Sequence, residues 1–316
     1  MKIIDIHTHV GDVIFGRPVF PYESYEPYNQ IPDWAYFYEK SEFDLGRMQE
    51  TITPEMTKYI DGMMALGERG MRILEAVFNQ EKNNAGTLEN LLSAMRKNHI
   101  DYSVLLPIEP LVQTETSLEI CKKHKNILTF ASVHPKDPRA VEKLQRYMKG
   151  GCRGLKLHPI IQGVHPFDPS VQELMEEYKK YHRPVLFHTG ESTYYVYQSE
   201  ERRRLARVEN FEEIISKFPE IDFILGHMGQ ATQRDEALAL AEKYKNAHVD
   251  CTLQPVEGIQ EALKKIGSDR MLYGSDFPFA LQEPQINIIN KAVGDDTETK
   301  EKLFYKNGER LIGKVG

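Results

Sequence analysis

Eight short apolar runs, each followed by a stretch of helical periodicity, constrain this 316-residue chain more than any other feature. They lie at 3–10, 101–107, 127–134, 154–158, 184–188, 222–227, 248–253 and 271–276. Between them helical patterns occupy about 54–78 and 86–98, then 114–124, 138–149, 169–182, 210–218, 234–245 and 257–266. Two more, about 283–293 and 298–312, close the chain. Short runs rich in Val, Ile and Leu, bounded by turn formers, read as strands buried on both faces. Strands alternating with helices give a parallel sheet, and eight such units is the count of a (β/α)8 TIM barrel. An open doubly wound sheet is the alternative, but no Gly-x-Gly-x-x-Gly turn follows any run. One domain over 1–316 is expected, since α/β barrels reach this length.

Charge and cysteine usage narrow the partners. With Lys+Arg at 40 against Asp+Glu at 47, the net charge of −7 leaves no basic excess to neutralise phosphates, which opposes nucleic-acid binding. The Arg202-Arg203-Arg204 cluster sits among Glu200, Glu201 and Glu209 and reads as a solvated helix face. Cys121, Cys152 and Cys251 form no CxxC and no even framework, so reduced thiols are expected. The chain enters a strand at once, without a signal-type apolar region, and no run is long enough to span a membrane. A cytoplasmic protein acting on a small molecule, as a homodimer, is the expectation.

In barrels of this kind the chemistry sits at the carboxyl ends of the strands. His7 and His9 close the first run two residues apart, so their side chains share one face, about 6.5 Å apart along the strand. Lys156 and His158 end the fourth run, His188 the fifth, His227 the sixth and Asp276 the eighth. A single buried histidine is usually a satisfied core residue. Several at strand ends, from a total of 11, are harder to dismiss, while His99, His124 and His182 fall on helical patterns. Gly226 and Gly229 flank His227 and are expected to leave room for a ligand. The bland reading of Asp276 is a cap on the turn at Phe277-Pro278.

The words "IDIHTH", "GLKLHP", "PVLFHTG", "ILGHMG" and "LYGSDFP", in this order, resemble the amidohydrolase superfamily. They are most similar to its amidohydrolase-related branch, which also holds aminocarboxymuconate-semialdehyde decarboxylase-like enzymes. The closing "YKNGERLIG", with Asn307, resembles that branch's terminal helix. The resemblance implies a divalent metal held by His7, His9, His188 and Asp276, a set that suits Zn²⁺. It implies one ion per chain, with His227 and Asp276 catalytic: Asp276 takes a proton from a metal-activated water and His227 polarises a carbonyl or protonates a leaving group. Lys156 has two readings. Carboxylated, it would bridge two ions, with His227 on the second; uncarboxylated, it would bind a substrate carboxylate, with His158 beside it on the same face. The implied activity is hydrolysis of a small amide, lactone or similar C–N or C–O bond. The alternative is non-oxidative decarboxylation of an aromatic or unsaturated acid, with Arg17 or Lys156 gripping the carboxylate. A non-catalytic barrel is opposed by the presence of every ligand-type residue.

Residues 11–53 lie outside that resemblance. The segment is rich in aromatics (Phe15, Tyr22, Tyr28, Trp34 and Tyr38 among them) and in proline, and it is too long for an idle connection. Because it leaves directly from His9, a lid over the site is expected. The bland alternative is packing on the barrel or between two subunits.

Overall fold

The computed structural model describes residues 1–17, 65 and 67–315. Most of the expected lid, and the start of the helical pattern from 54, lie outside the described residues. Among the described residues nine strand segments follow in chain order: β1 (Ile4–Thr8), β2 (Tyr102–Leu105), β3 (Ile127–Thr129), β4 (Ala131–Ser132), β5 (Leu155–Leu157), β6 (Val185–His188), β7 (Phe223–Gly226), β8 (Ala247–Asp250) and β9 (Met271–Leu272). Every pairing between them is parallel.

The nine segments make eight staves. The run expected at 127–134 is one stave in two pieces: β3 bonds to β2, and β4 bonds to β5. At the break Phe130 N–H still donates to Leu105 O at 3.0 Å, while Ala131 N–H turns to Gly154 O at 2.8 Å. The last stave stays regular only to Leu272, yet Ile6 N–H reaches Tyr273 O and Asp276 N–H reaches His7 O, at 3.1 and 2.8 Å. Those bonds, with the Thr8–Phe277 bridge, join the last stave to the first and close the barrel.

Side-chain alternation explains how strands so apolar still carry polar groups. On β6, Val185 and Phe187 pack outward against the helices, while Leu186 enters the barrel interior with Ile4, Ile6, Val104, Phe130 and Ile224. By the two-residue period, His188 follows Leu186 inward, and Lys156 points inward between the outward Leu155 and Leu157. The helices cover the outside with one apolar face each. Helix Val256–Ile266 buries Val256, Ile259, Ala262 and Ile266 and turns Glu257, Lys264 and Lys265 to solvent. Boundaries follow local chemistry: Thr87 Oγ1 accepts from Asn90 N–H at 3.2 Å, and Asp168 caps the helix whose first residue is Pro169.

Three histidines expected on helices stand just past helix ends instead. His99 and His182 take φ of 54° and 49°, and His124 caps helix Thr114–Lys123. Among the described residues no helix is long and apolar enough to cross a membrane.

Candidate metal centre

At the carboxyl ends of the strands, His7 and His9 meet Asp276. His7 Nδ1 lies 2.8 Å from Asp250 Oδ2, and His9 Nδ1 lies 2.7 Å from Leu106 O. Both partners only accept, so each Nδ1 donates, and in a neutral ring each Nε2 is left as a lone pair. Those lone pairs face one carboxylate oxygen, Asp276 Oδ1, at 3.4 Å from His7 Nε2 and 3.2 Å from His9 Nε2. Two nitrogen acceptors and a carboxylate, turned on one another in a buried pocket, are arranged as a cation site is arranged. The donor set therefore fits a divalent ion.

His227 stands nearer to the His7 and Asp276 side chains than His188 does. The ligand atoms of His7, His227 and Asp276 lie within 4.8 Å of one another. His227 Nδ1 is buried without a hydrogen-bond partner, 4.0 Å from Asp276 Oδ2. His188, expected as a ligand, turns Nε2 to Gly190 O at 3.1 Å and stacks on His158 with ring centroids 4.1 Å apart. Its ring stands 4.8 Å from that of His227, beside the cluster rather than in its centre.

A small cavity runs between His7, His9, His188, His227 and Asp276, and His158 lines it too, but both of its nitrogens are engaged: Nδ1 accepts from Ile161 N–H at 3.3 Å, and Nε2 meets Tyr194 Oη at 3.3 Å. Lys156 is fully buried, its Nζ 3.4 Å from His7 Nε2. Burial lowers its pKa to about 8 against the opposing pull of Asp276 and Asp250. Burial likewise holds His7, His158 and His227 well below the ordinary imidazole value, takes His188 to about 3, and raises Asp276.

Arg17, expected to grip a substrate carboxylate, is tied elsewhere. Its guanidinium pairs with Asp12 and donates to Asn84 Oδ1 at 2.5 Å, and it does not line the cavity at the strand ends. Gly226 and Gly229 leave no room for a ligand. A Cβ on Gly226 would stand 2.6 Å from Phe187 O, and one on Gly229 would stand 3.0 Å from Val208 Cγ2, so neighbouring backbone packs on the first and a side chain on the second. His227 and Asp276 take φ of 63° and 62°, a left-handed backbone costing roughly 1–3 kcal/mol each that the surrounding bonds must hold in place.

Two supporting residues, Asp250 and Asp5, are not among those the strand ends single out. Asp250 joins the site from β8: besides His7 Nδ1, it accepts the His227 N–H through Oδ1 at 2.8 Å. Asp5 accepts from Ser275 N–H, Ser275 Oγ and Gln282 Nε2 at 2.9, 2.6 and 2.9 Å, fixing the residue before Asp276; burial raises its pKa to about 7. Asp250 ends an inward-facing alternation that the period-2 rule could have exposed. The partners of Asp5 lie some 270 residues away, beyond any local pattern.

The amidohydrolase family model matches residues 4–314. No curated protein matches the chain by sequence. Among solved structures, 5-carboxyvanillate decarboxylase from Novosphingobium aromaticivorans, complexed with manganese and 4-hydroxy-3-methoxy-5-nitrobenzoic acid, is 15% identical with a TM-score of 0.61, over 98% of this chain and 96% of that one. A probable 2-pyrone-4,6-dicarboxylic acid hydrolase from Acinetobacter baumannii, with citric acid bound, is 14% identical with a TM-score of 0.59, over 99% and 100%. An uncharacterised TIM-barrel protein from Bordetella bronchiseptica is 16% identical with a TM-score of 0.63, over 98% of each chain. At these identities the likeness is one of fold.

Proposed function

This chain belongs to the amidohydrolase family, and on that premise we propose that it is a metal-dependent hydrolase opening a small amide, lactone or similar C–N or C–O bond. The observation that carries the reading is the meeting of the His7 and His9 Nε2 lone pairs with Asp276 Oδ1 at 3.4 and 3.2 Å. His7, His9 and Asp276 reach the three protein ligands typical of a catalytic site. We assign His188 as the fourth, on the family's order of residues, with one ion per chain. Three imidazoles and a carboxylate suit Zn²⁺, and the manganese of the decarboxylase structure makes Mn²⁺ the second ion to test.

A divalent ion there supplies Lewis acidity, polarising a carbonyl and easing the deprotonation of water. Asp276 is the acceptor for that proton, its basicity raised by burial. His227 Nδ1, unpartnered and 4.0 Å from Asp276 Oδ2, is placed to carry the proton to the leaving group. Lys156, uncarboxylated, binds a substrate carboxylate or carbonyl oxygen.

A decarboxylase is the second reading. The buried Lys156 cation favours it, since a substrate carboxylate beside the cluster has a partner there. Mass balance separates the two. Metal-loaded protein is offered a panel of small acids, amides and lactones, with ¹⁸O-water uptake and CO₂ release both recorded. Label in the product supports the hydrolase; CO₂ without label overturns it in favour of the lyase. A homodimer is proposed as well, on the aromatic-rich sequence of residues 11–53, and sedimentation at the mass of one chain would contradict it; a cytoplasmic location is proposed from the absence of a cysteine framework.

A further inference from the structure

A second cavity, of about 200 Å³, opens beside the cluster and shares Asp276, His188 and Tyr194 with it. Its outer wall is built by helix Glu68–Asn84 and by the loop after β6. Glu75 and Asn79, four residues apart, lie on one face of that helix and hold the loop: Glu75 Oε1 accepts from Thr193 N–H, and Asn79 Nδ2 donates to Thr193 O, both at 3.0 Å. Gln230 Nε2 closes the far side on Ser192 Oγ at 2.5 Å. These contacts fix Glu75, Asn79 and Gln230 in the cavity wall, a carboxylate and two side-chain amides whose oxygens can only accept. Among the described residues lining the cavity there is no Lys or Arg, and the charged groups are Glu75 and Asp276.

Resting on the reading that Lys156 and the metal cluster take the reacting end of the substrate, we propose that this cavity is the subsite for its remote end. The geometry selects a hydrogen-bond donor there, a hydroxyl or an ammonium group held by Glu75, and rejects a second carboxylate. A carboxylate facing Glu75 would set two like charges together, whereas a donor gains a charge-assisted bond. Burial raises the Glu75 pKa, which a cationic or hydroxylic partner would bring back down.

The test uses four probes with one anchor and different far ends: benzoate, 4-hydroxybenzoate, 4-(aminomethyl)benzoate and terephthalate. Calorimetry on metal-loaded protein reads their affinities, and metal content is measured on the same samples. The expected order places a donor-bearing probe about tenfold or more ahead of terephthalate, the scale of one charge-assisted hydrogen bond. Glu75→Gln keeps an oxygen for Thr193 and should shrink that ratio several-fold. Loss confined to the aminomethyl probe assigns an ammonium; preference retained by 4-hydroxybenzoate assigns a hydroxyl. Terephthalate binding as tightly as the donor probes, a ratio unmoved by Glu75→Gln, or no binding of any probe to loaded protein would overturn the subsite. Protein that holds metal and shows the expected order but takes up no water would sink the hydrolase reading and leave the subsite standing.

Discussion

Asp250 reaches in two directions with its two oxygens, to the His7 ring and to the His227 backbone, and so ties two strands' chemistry to one carboxylate. Replacing it with Asp250→Asn unsettles the His7 tautomer that presents the Nε2 lone pair to the cluster. Metal affinity should fall about 10- to 100-fold, the usual effect of losing a partner behind a histidine ligand. Competitive titration with a metal indicator checks this, and unchanged affinity would show that Leu106 and Asp276 orient the pair unaided. His227→Asn separates proton transfer from ligation. Because His7, His9 and Asp276 already give three donors, the variant should keep its metal while kcat falls by on the order of 10²–10⁴. Metal lost together with activity would make His227 a ligand, as its place within 4.8 Å of His7 and Asp276 permits.

Strands set the site's position, and their packing can be probed apart from it. Phe130, at the break between β3 and β4, fills the barrel interior against Gly154, where a Cβ would stand 2.5 Å from its ring. Gly154→Ala should destabilise the fold by about 1–3 kcal/mol, seen as a lower urea midpoint with the same slope. An unmoved midpoint would mean that the ring shifts freely. The strands themselves were legible because parallel barrel strands, covered on both faces, read as apolar runs. The break at Phe130 was not, since periodicity carries no word of a change in hydrogen-bond partner. The residues proposed for the site were legible as strand ends. Their division of labour was not, because it turns on ring orientations such as His188 Nε2 against Gly190 O and on pairs such as His7 with Asp250, 243 residues apart. Arg17 misled for a local reason: Asp12, five residues before it, takes its guanidinium.

At the scale of the whole molecule, the proposed ligands come from the first stave, the sixth segment β6 and the turn after β9, so one ion would brace the barrel where its ends close. Chelation should therefore lower Tm, by the equivalent of about 2.7 kcal/mol when the ion had been present at a hundred times its Kd. A Tm indifferent to chelator and to added Zn²⁺ or Mn²⁺ would contradict that bracing. The most direct measurement is elemental analysis of protein made in metal-replete medium and freed of loose ions by gel filtration, beside the Asp276→Ala and His9→Ala variants. The expected result is about one divalent ion per wild-type chain and a small fraction of that in either variant, with activity following the metal. Wild-type protein that carries no metal and turns over substrate at full rate would contradict the account.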